Sequence, residues 1–164
     1  MKTRRLSLLL RCLYLLFLLN SIPVRALDLV PKPGEQIAIV AHPGVPVDEL
    51  SLAEVRKIFL ADRQYWTPKL RITLLICAPH TWERKAFFQI VYRMDEAQFR
   101  QYWIRKEFRD QITSFPRTVY SAQAAASLAA RLPGAITFLD AAEIPSGVKV
   151  LKVLSTKDSF SLRH

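Results

Sequence analysis

The sequence predicts an α/β domain whose mostly parallel sheet is covered by helices on both faces. Three observations carry that expectation. Four short apolar runs read as buried strands, the segments between them repeat their apolar residues at helical spacing, and capping residues, Pro and Gly mark the boundaries. Strands that alternate with helices imply layered α/β architecture, because the crossover helices must lie over the sheet.

Taken in order, the first strand is Ile37-Ala38-Ile39-Val40-Ala41, ended by the turn-rich His42-Pro43-Gly44-Val45-Pro46. Ser51-Leu52-Ala53-Glu54 has the form of a capping box, in which hydroxyl and carboxylate satisfy backbone N–H groups reciprocally. The helix it opens places Leu52, Val55 and Phe59 on one face. A loop through Tyr65-Trp66-Thr67-Pro68 leads to a second strand, Leu70 to Cys77. A second helix follows Pro79, with Trp82, Ala86, Phe87, Ile90 and Val91 on its inner side. A third, Glu96 to Phe108, buries Phe99, Tyr102 and Trp103. A polar stretch then carries Phe115-Pro116-Arg117. Ser121 caps an Ala-rich fourth helix that runs to Leu132 and is stopped by Pro133-Gly134. Ala135 to Leu139 and Val148 to Val153 are the third and fourth strands.

The N-terminus is set apart. Lys2, Arg4 and Arg5 precede an apolar stretch, Leu6 to Leu19, and Val24-Arg25-Ala26 offers a cleavage site, so residues 1 to 26 read as a secretory signal cut after Ala26. Its longest apolar run is well short of the ~20 residues that span a bilayer. Residues 27–36 read as a flexible lead-in, 37–154 as the domain and 155–164 as a tail. The formal charge of +10 loses the five cations Lys2, Arg4, Arg5, Arg11 and Arg25 with the signal and falls to +5. That excess attracts anions, but without a dense Lys/Arg run it is no nucleic-acid signature. Cys77 is then the one remaining cysteine. It reads as a buried inert thiol, with no neighbour in sequence suited to activate it.

Catalytic patterns do not appear. The sequence has no Gly-rich phosphate loop and no Cys/His or His/Glu spacing that would build a metal site, and no cofactor is expected. Asp140, directly after the third strand, reads as a loop-capping residue. What remains are helix N-termini, where free N–H groups and the helix dipole favour an anion. The starts at Thr81 and Ser121 are the candidates. Each hydroxyl can donate to an oxyanion, and Arg117 can pair with it bidentately. The competing reading is that Thr81 and Ser121 only cap their own helices.

The order of segments resembles a known family. Val45-Pro46-Val47-Asp48-Glu49-Leu50-Ser51-Leu52-Ala53-Glu54-Val55-Arg56-Lys57-Ile58-Phe59-Leu60, followed by Tyr65-Trp66, is similar to a stretch of periplasmic phosphate-binding proteins. Glu83 to Phe88 is similar to that family's helix after the second strand, and Arg131-Leu132-Pro133-Gly134-Ala135-Ile136-Thr137-Phe138 to its Asn-Pro-Gly-Ala-Ile-Gly-Tyr segment. The resemblance implies a type II periplasmic-binding-protein-like fold, export to the periplasm, binding of phosphate or another small oxyanion, and an inner-membrane transporter or signalling protein as partner. It implies no enzymatic activity. At 164 residues, less the signal, the length suits a single lobe. The family's Ser-Gly-Thr before the second helix is not kept: the stretch here reads Cys77-Ala78-Pro79-His80-Thr81-Trp82. A ligand-free interaction module, partnering a membrane signalling protein, is therefore the second expectation.

Overall fold

The computed structural model describes residues 34–155. The expected signal over 1–26, most of the lead-in and, apart from Ser155, the tail lie outside the described residues. In chain order the elements are β1 (Gln36–Ala41), α1 (Leu52–Phe59), β2 (Tyr65–Thr67), β3 (Leu70–Arg71), β4 (Thr73–Cys77), α2 (Trp82–Phe87) running into a π turn (Phe88–Tyr92), α3 (Glu96–Phe108), β5 (Arg117–Val119), α4 (Ala122–Ala129), β6 (Ala135–Asp140), a 3₁₀ turn (Ala141–Glu143) and β7 (Lys149–Ser155).

Five strands form the main sheet in the order β5-β4-β6-β1-β7, and β2 and β3 form a small hairpin of their own. β4 is parallel to both β5 and β6, while β1 is antiparallel to β6 and β7. Four strands therefore point the same way and β1 alone is reversed, which makes the sheet mostly parallel in direction. β1 is an interior apolar strand: Ile37 through Ala41 are wholly buried, as expected of a strand covered on both sides. One face of the sheet holds the aromatic core. Phe138 of β6 stacks on Phe87 of α2 at 3.9 Å, and Phe59 of α1 meets Phe87 edge-on at 4.6 Å. The other face is covered by α4, whose Ala125 and Ala129 pack on Leu75 and Ala135. Small alanine side chains let this helix lie close to the strands.

Several local expectations are refined. The run Leu70–Cys77 is not one strand: β3 turns back on β2, and Ile72 separates it from β4. The stretch expected to be a loop at 65–68 contributes β2, and the polar stretch contributes the edge strand β5. Trp82, expected on the inner side of α2, is 37% exposed, because it is the first residue of the helix and lies outside the packed turn. α4 ends at Ala129, short of Leu132. The π turn after α2 ends on Arg93 at φ 53°, and its last carbonyls are taken by Arg56 of α1, which donates to Ile90 at 2.9 Å and Val91 at 3.2 Å. The outer edge of β7 is covered in part by the 45–50 segment: Leu50 N donates to Leu151 O at 3.0 Å, and Lys149 Nζ donates to Val45 O at 2.8 Å and pairs with Asp48. Leu151 sits at the β-bulge opposite Ile39 and Val40, which frees its carbonyl for this contact.

The tightest junction lies where α4 hands over to β6. Gly134 has φ +77°, and a Cβ built there would fall 2.2 Å from the backbone oxygen of Arg71. Its own carbonyl accepts from Thr73 N at 3.0 Å and from the buried indole Nε1 of Trp66 at 2.9 Å. Two stretches that carry the family resemblance, the one ending at Trp66 and the one through Gly134, thus meet in one hydrogen bond.

This junction sets two stability expectations. Gly134→Ala adds ~1–2 kcal/mol of left-handed backbone cost to a clash with backbone that cannot swing away. It should lower the thermal midpoint by roughly 10 °C or more, or prevent recovery of folded protein. Trp66→Phe removes the indole donor and leaves a small cavity where the fused ring lay, and should cost on the order of 2 kcal/mol. A Gly134→Ala protein melting with the parent would contradict the account of this turn.

Candidate functional site

β4 and β5 end together, since Cys77 lies opposite Val119 in parallel register. The chain after β4 runs through Ala78-Pro79-His80-Thr81 into α2, and the chain after β5 runs through Tyr120-Ser121 into α4. Two of the expected residues, Thr81 and Ser121, therefore stand on the same carboxyl edge of the sheet. They open helices that pack on opposite faces, α2 through Phe87 on the aromatic side and α4 on the alanine side.

The two hydroxyls differ in what they have left to give. Thr81 Oγ1 accepts from Arg84 N at 3.3 Å, lies 3.3 Å from Ala78 O as donor, and lies 3.2 Å from Cys77 Sγ. It is committed to its own turn. Ser121 Oγ accepts from Ala124 N at 3.1 Å and has no acceptor among the described residues, so its O–H remains a donor. Arg117 opens β5 opposite Leu75, two residues short of the edge, and is exposed. It shares the alternate face with Val119, which packs with the Leu75–Ala125 cluster beside α4. Its guanidinium has no hydrogen-bond or ion-pair partner among the described residues. Arg117 opens β5 and Ser121 follows its end, and Thr81 stands across the sheet edge from Ser121.

The loop before α2 is held from behind by Arg84, which the sequence did not single out as a buried group. Arg84 is 6% exposed. It donates to Cys77 O at 2.7 Å and makes a bidentate pair with Glu96 of α3 at 2.6 and 2.8 Å. Its guanidinium also lies over the rings of Phe88 at 4.7 Å and Phe99 at 5.6 Å. One buried cation therefore ties the end of β4 to α2, the π turn and α3. Buried and paired with Glu96, it adds no free positive charge to the edge. The signal available in sequence was weak: Arg84 lies on the same helical stripe as Phe87, Phe88 and Val91, where a cation needs a buried partner.

The strand order adds a second place to look. β4 connects outward to β5, and β6 connects the other way, so the topological switch falls between β4 and β6, outside their carboxyl ends. The loops there are 78–81 and 140–143. Asp140 is 2% exposed, and its carboxylate accepts from Gly34 N at 2.8 Å and Ala142 N at 2.9 Å. It caps its turn, as the sequence led us to expect, and it places a carboxylate where an incoming anion would otherwise sit. His80, at φ 76°, is exposed on the neighbouring loop. Cys77 is wholly buried. Burial pushes its thiol up, and the Thr81 hydrogen bond offsets this only in part. Among the described residues no group of His, Cys, Asp or Glu could hold a metal ion.

With this geometry in view, known structures give a consistent answer. A phosphate ABC transporter substrate-binding protein from Clostridium perfringens, solved with bound phosphate, superposes with a TM-score of 0.57 at 17% identity, over 74% of this chain and 46% of that one. An ABC-type phosphate transport receptor from Vibrio cholerae gives 0.56 at 15% identity, over 74% and 48%. A phosphate-binding protein from Planctomyces limnophilus gives 0.51 at 16%, over 73% and 42%. No family model matches the chain, and no curated protein does. At these identities the likeness establishes the fold: an α/β unit of the periplasmic-binding-protein type. The chain spans about half the length of the solved structures it matches.

Two outcomes check this description. Glu96→Gln removes the counter-charge of Arg84 and keeps the shape; with Glu96 half-exposed, the expected loss is about 2 kcal/mol by chemical denaturation. Cys77, buried and with its thiol raised, should resist iodoacetamide at pH 8 in the native protein and react once the chain is unfolded. Rapid native alkylation would contradict its placement.

Proposed function

We propose that this chain is an exported, non-enzymatic solute-binding-like protein that takes phosphate or another small oxyanion at the carboxyl edge of its sheet, on the β5 side. The observation that carries this reading is Ser121. Its O–H is free to donate, it opens an eight-residue helix, and it follows the short strand that the unpartnered Arg117 opens. Backbone N–H groups at a helix start, a hydroxyl and a guanidinium form a donor set suited to an oxyanion. Thr81 then has the lesser part, shaping the adjoining loop. The ligand class is further supported by the fold, since the similar proteins are named for phosphate. Export to the periplasm rests on the N-terminal pattern of residues 1 to 26, and an inner-membrane transporter component is the matching partner.

A second reading has its own support. Thr81 is spent on its turn and Asp140 sets a carboxylate at the switch point. Both features fit a lobe that keeps the fold without the ligand and serves as an interaction module for a membrane signalling protein.

Energetics separate the two. Each charge-assisted hydrogen bond nets ~1.5–3 kcal/mol. Two or three of them on an open surface must offset ~4–15 kcal/mol of association cost. Phosphate binding by the isolated chain is therefore expected with a dissociation constant on the order of millimolar. Calorimetry against a panel of oxyanions tests this, and the heats should vanish on Ser121→Ala or Arg117→Ala. Micromolar binding lost on Arg117→Ala would exclude the interaction-module reading. Absence of binding across the panel at tens of millimolar would exclude the oxyanion reading.

A further inference from the structure

The outward face of α3 has no role in the edge just described, yet it carries an arrangement that the core does not explain. At about 100° per residue, Ala97, Gln101, Ile104 and Phe108 form one stripe on the side opposite the buried Trp103. Phe108 is 86% exposed and Ile104 44%. Phe115 rests against Trp103 at 6.3 Å and belongs to the inner side, so the stripe's exposed apolar surface is that of Ile104 and Phe108. Arg100 and Arg105 flank the stripe on its two sides, and Arg109 follows at its end. None of these three arginines has an ion-pair partner among the described residues. The nearby acids are used differently: Glu96 neutralises Arg84 and Asp62 pairs with Lys106, which leaves Glu107 and Asp110 in this stretch.

We propose that this face of α3 docks on an anionic lipid surface, with Phe108 and Ile104 entering the headgroup region and Arg100, Arg105 and Arg109 meeting lipid phosphates. The stripe sets two exposed apolar side chains between cations, and an anionic interface attracts both the apolar groups and the charges. Size and shape select lipid over a protein partner. The two exposed apolar side chains, Ile104 and Phe108, offer on the order of 250 Å². A stable protein interface needs about 800 Å² from each partner. The stripe is also convex, with protruding side chains that a bilayer accommodates without a matching groove.

The test uses the full chain and vesicles of phosphatidylglycerol and phosphatidylcholine, with pure phosphatidylcholine as control. Sedimentation should show binding that requires the anionic lipid and weakens with salt. Arg100→Gln and Arg105→Gln should each lower the partition coefficient roughly fivefold. Phe108→Asp should lower it about tenfold, without change in the thermal midpoint, because the side chain is exposed. The apolar N-terminal run is common to all variants and cancels in these ratios. A position-specific reading removes any remaining contribution from it: the indole introduced by Phe108→Trp should be quenched by brominated lipid, measured as the difference from the parent protein. No such quenching, or equal binding to neutral vesicles, would overturn the proposal. So would a stoichiometric complex with an acidic protein that is lost on Phe108→Asp while vesicle binding is unchanged.

Discussion

The fold depends on a close approach of backbone at Gly134. There the end of α4 turns into β6 with no room for a side chain against Arg71 O. The Gly134 carbonyl sets the start of β4 through Thr73 N and anchors the hairpin through Trp66 Nε1. The hairpin and the start of β4 are registered against a turn 68 residues beyond Trp66 by one peptide unit. The parallel pairing of β4 with β6 begins there, at Thr73 opposite Ala135, and the position of the carboxyl edge follows from that register. This also gives a physical reason for the two sequence stretches that carried the resemblance: they are complementary halves of a structural joint.

The edge itself is shaped by groups that are already satisfied. Arg84 is locked between Cys77 O, Glu96 and two aromatic rings, and Thr81 and Asp140 are spent on local backbone. These contacts tie the loops after β4 and β6 to the core and commit the side chains of Thr81, Arg84 and Asp140 to structural roles. The free capacity has moved outward to β5, where Ser121 and Arg117 face solvent. A site at a sheet's edge strand is open on one side, so water competes for every hydrogen bond. On the proposed reading, weak affinity follows from the same geometry that supplies the donors, and a second surface that covers β5 would strengthen binding without any new residue in this chain.

Much of the fold was legible because its signals are local. The capping box at Ser51 and Glu54, the caps at Thr81 and Ser121, and the span Glu96–Phe108 follow from side-chain chemistry within a few residues. β2, β3 and β5 were not legible as such. They are two or three residues long and owe their conformation to partners, so their own patterns are too short to show a period. The reversed β1 was hidden for a related reason: strand direction is set by connections, and nothing in Ile37 to Ala41 encodes it. Of the site, the helix starts could be read, and their shared edge could not, because it depends on β4 and β5 being neighbours. Arg84 was obscured because a cation on a helix usually faces water, and its counter-charge lies on the next helix.

The central claim is that anion-binding capacity lies at the start of α4 and is absent from the switch point. Amide chemical-shift mapping during a phosphate titration of the ¹⁵N-labelled protein addresses it directly. The account predicts progressive shifts at Ser121, Ala122, Gln123 and Ala124, still unsaturated below millimolar phosphate, with Ala141 and Ala142 unmoved. Saturating shifts centred on Ala141 and Ala142, with α4 unaffected, would contradict it.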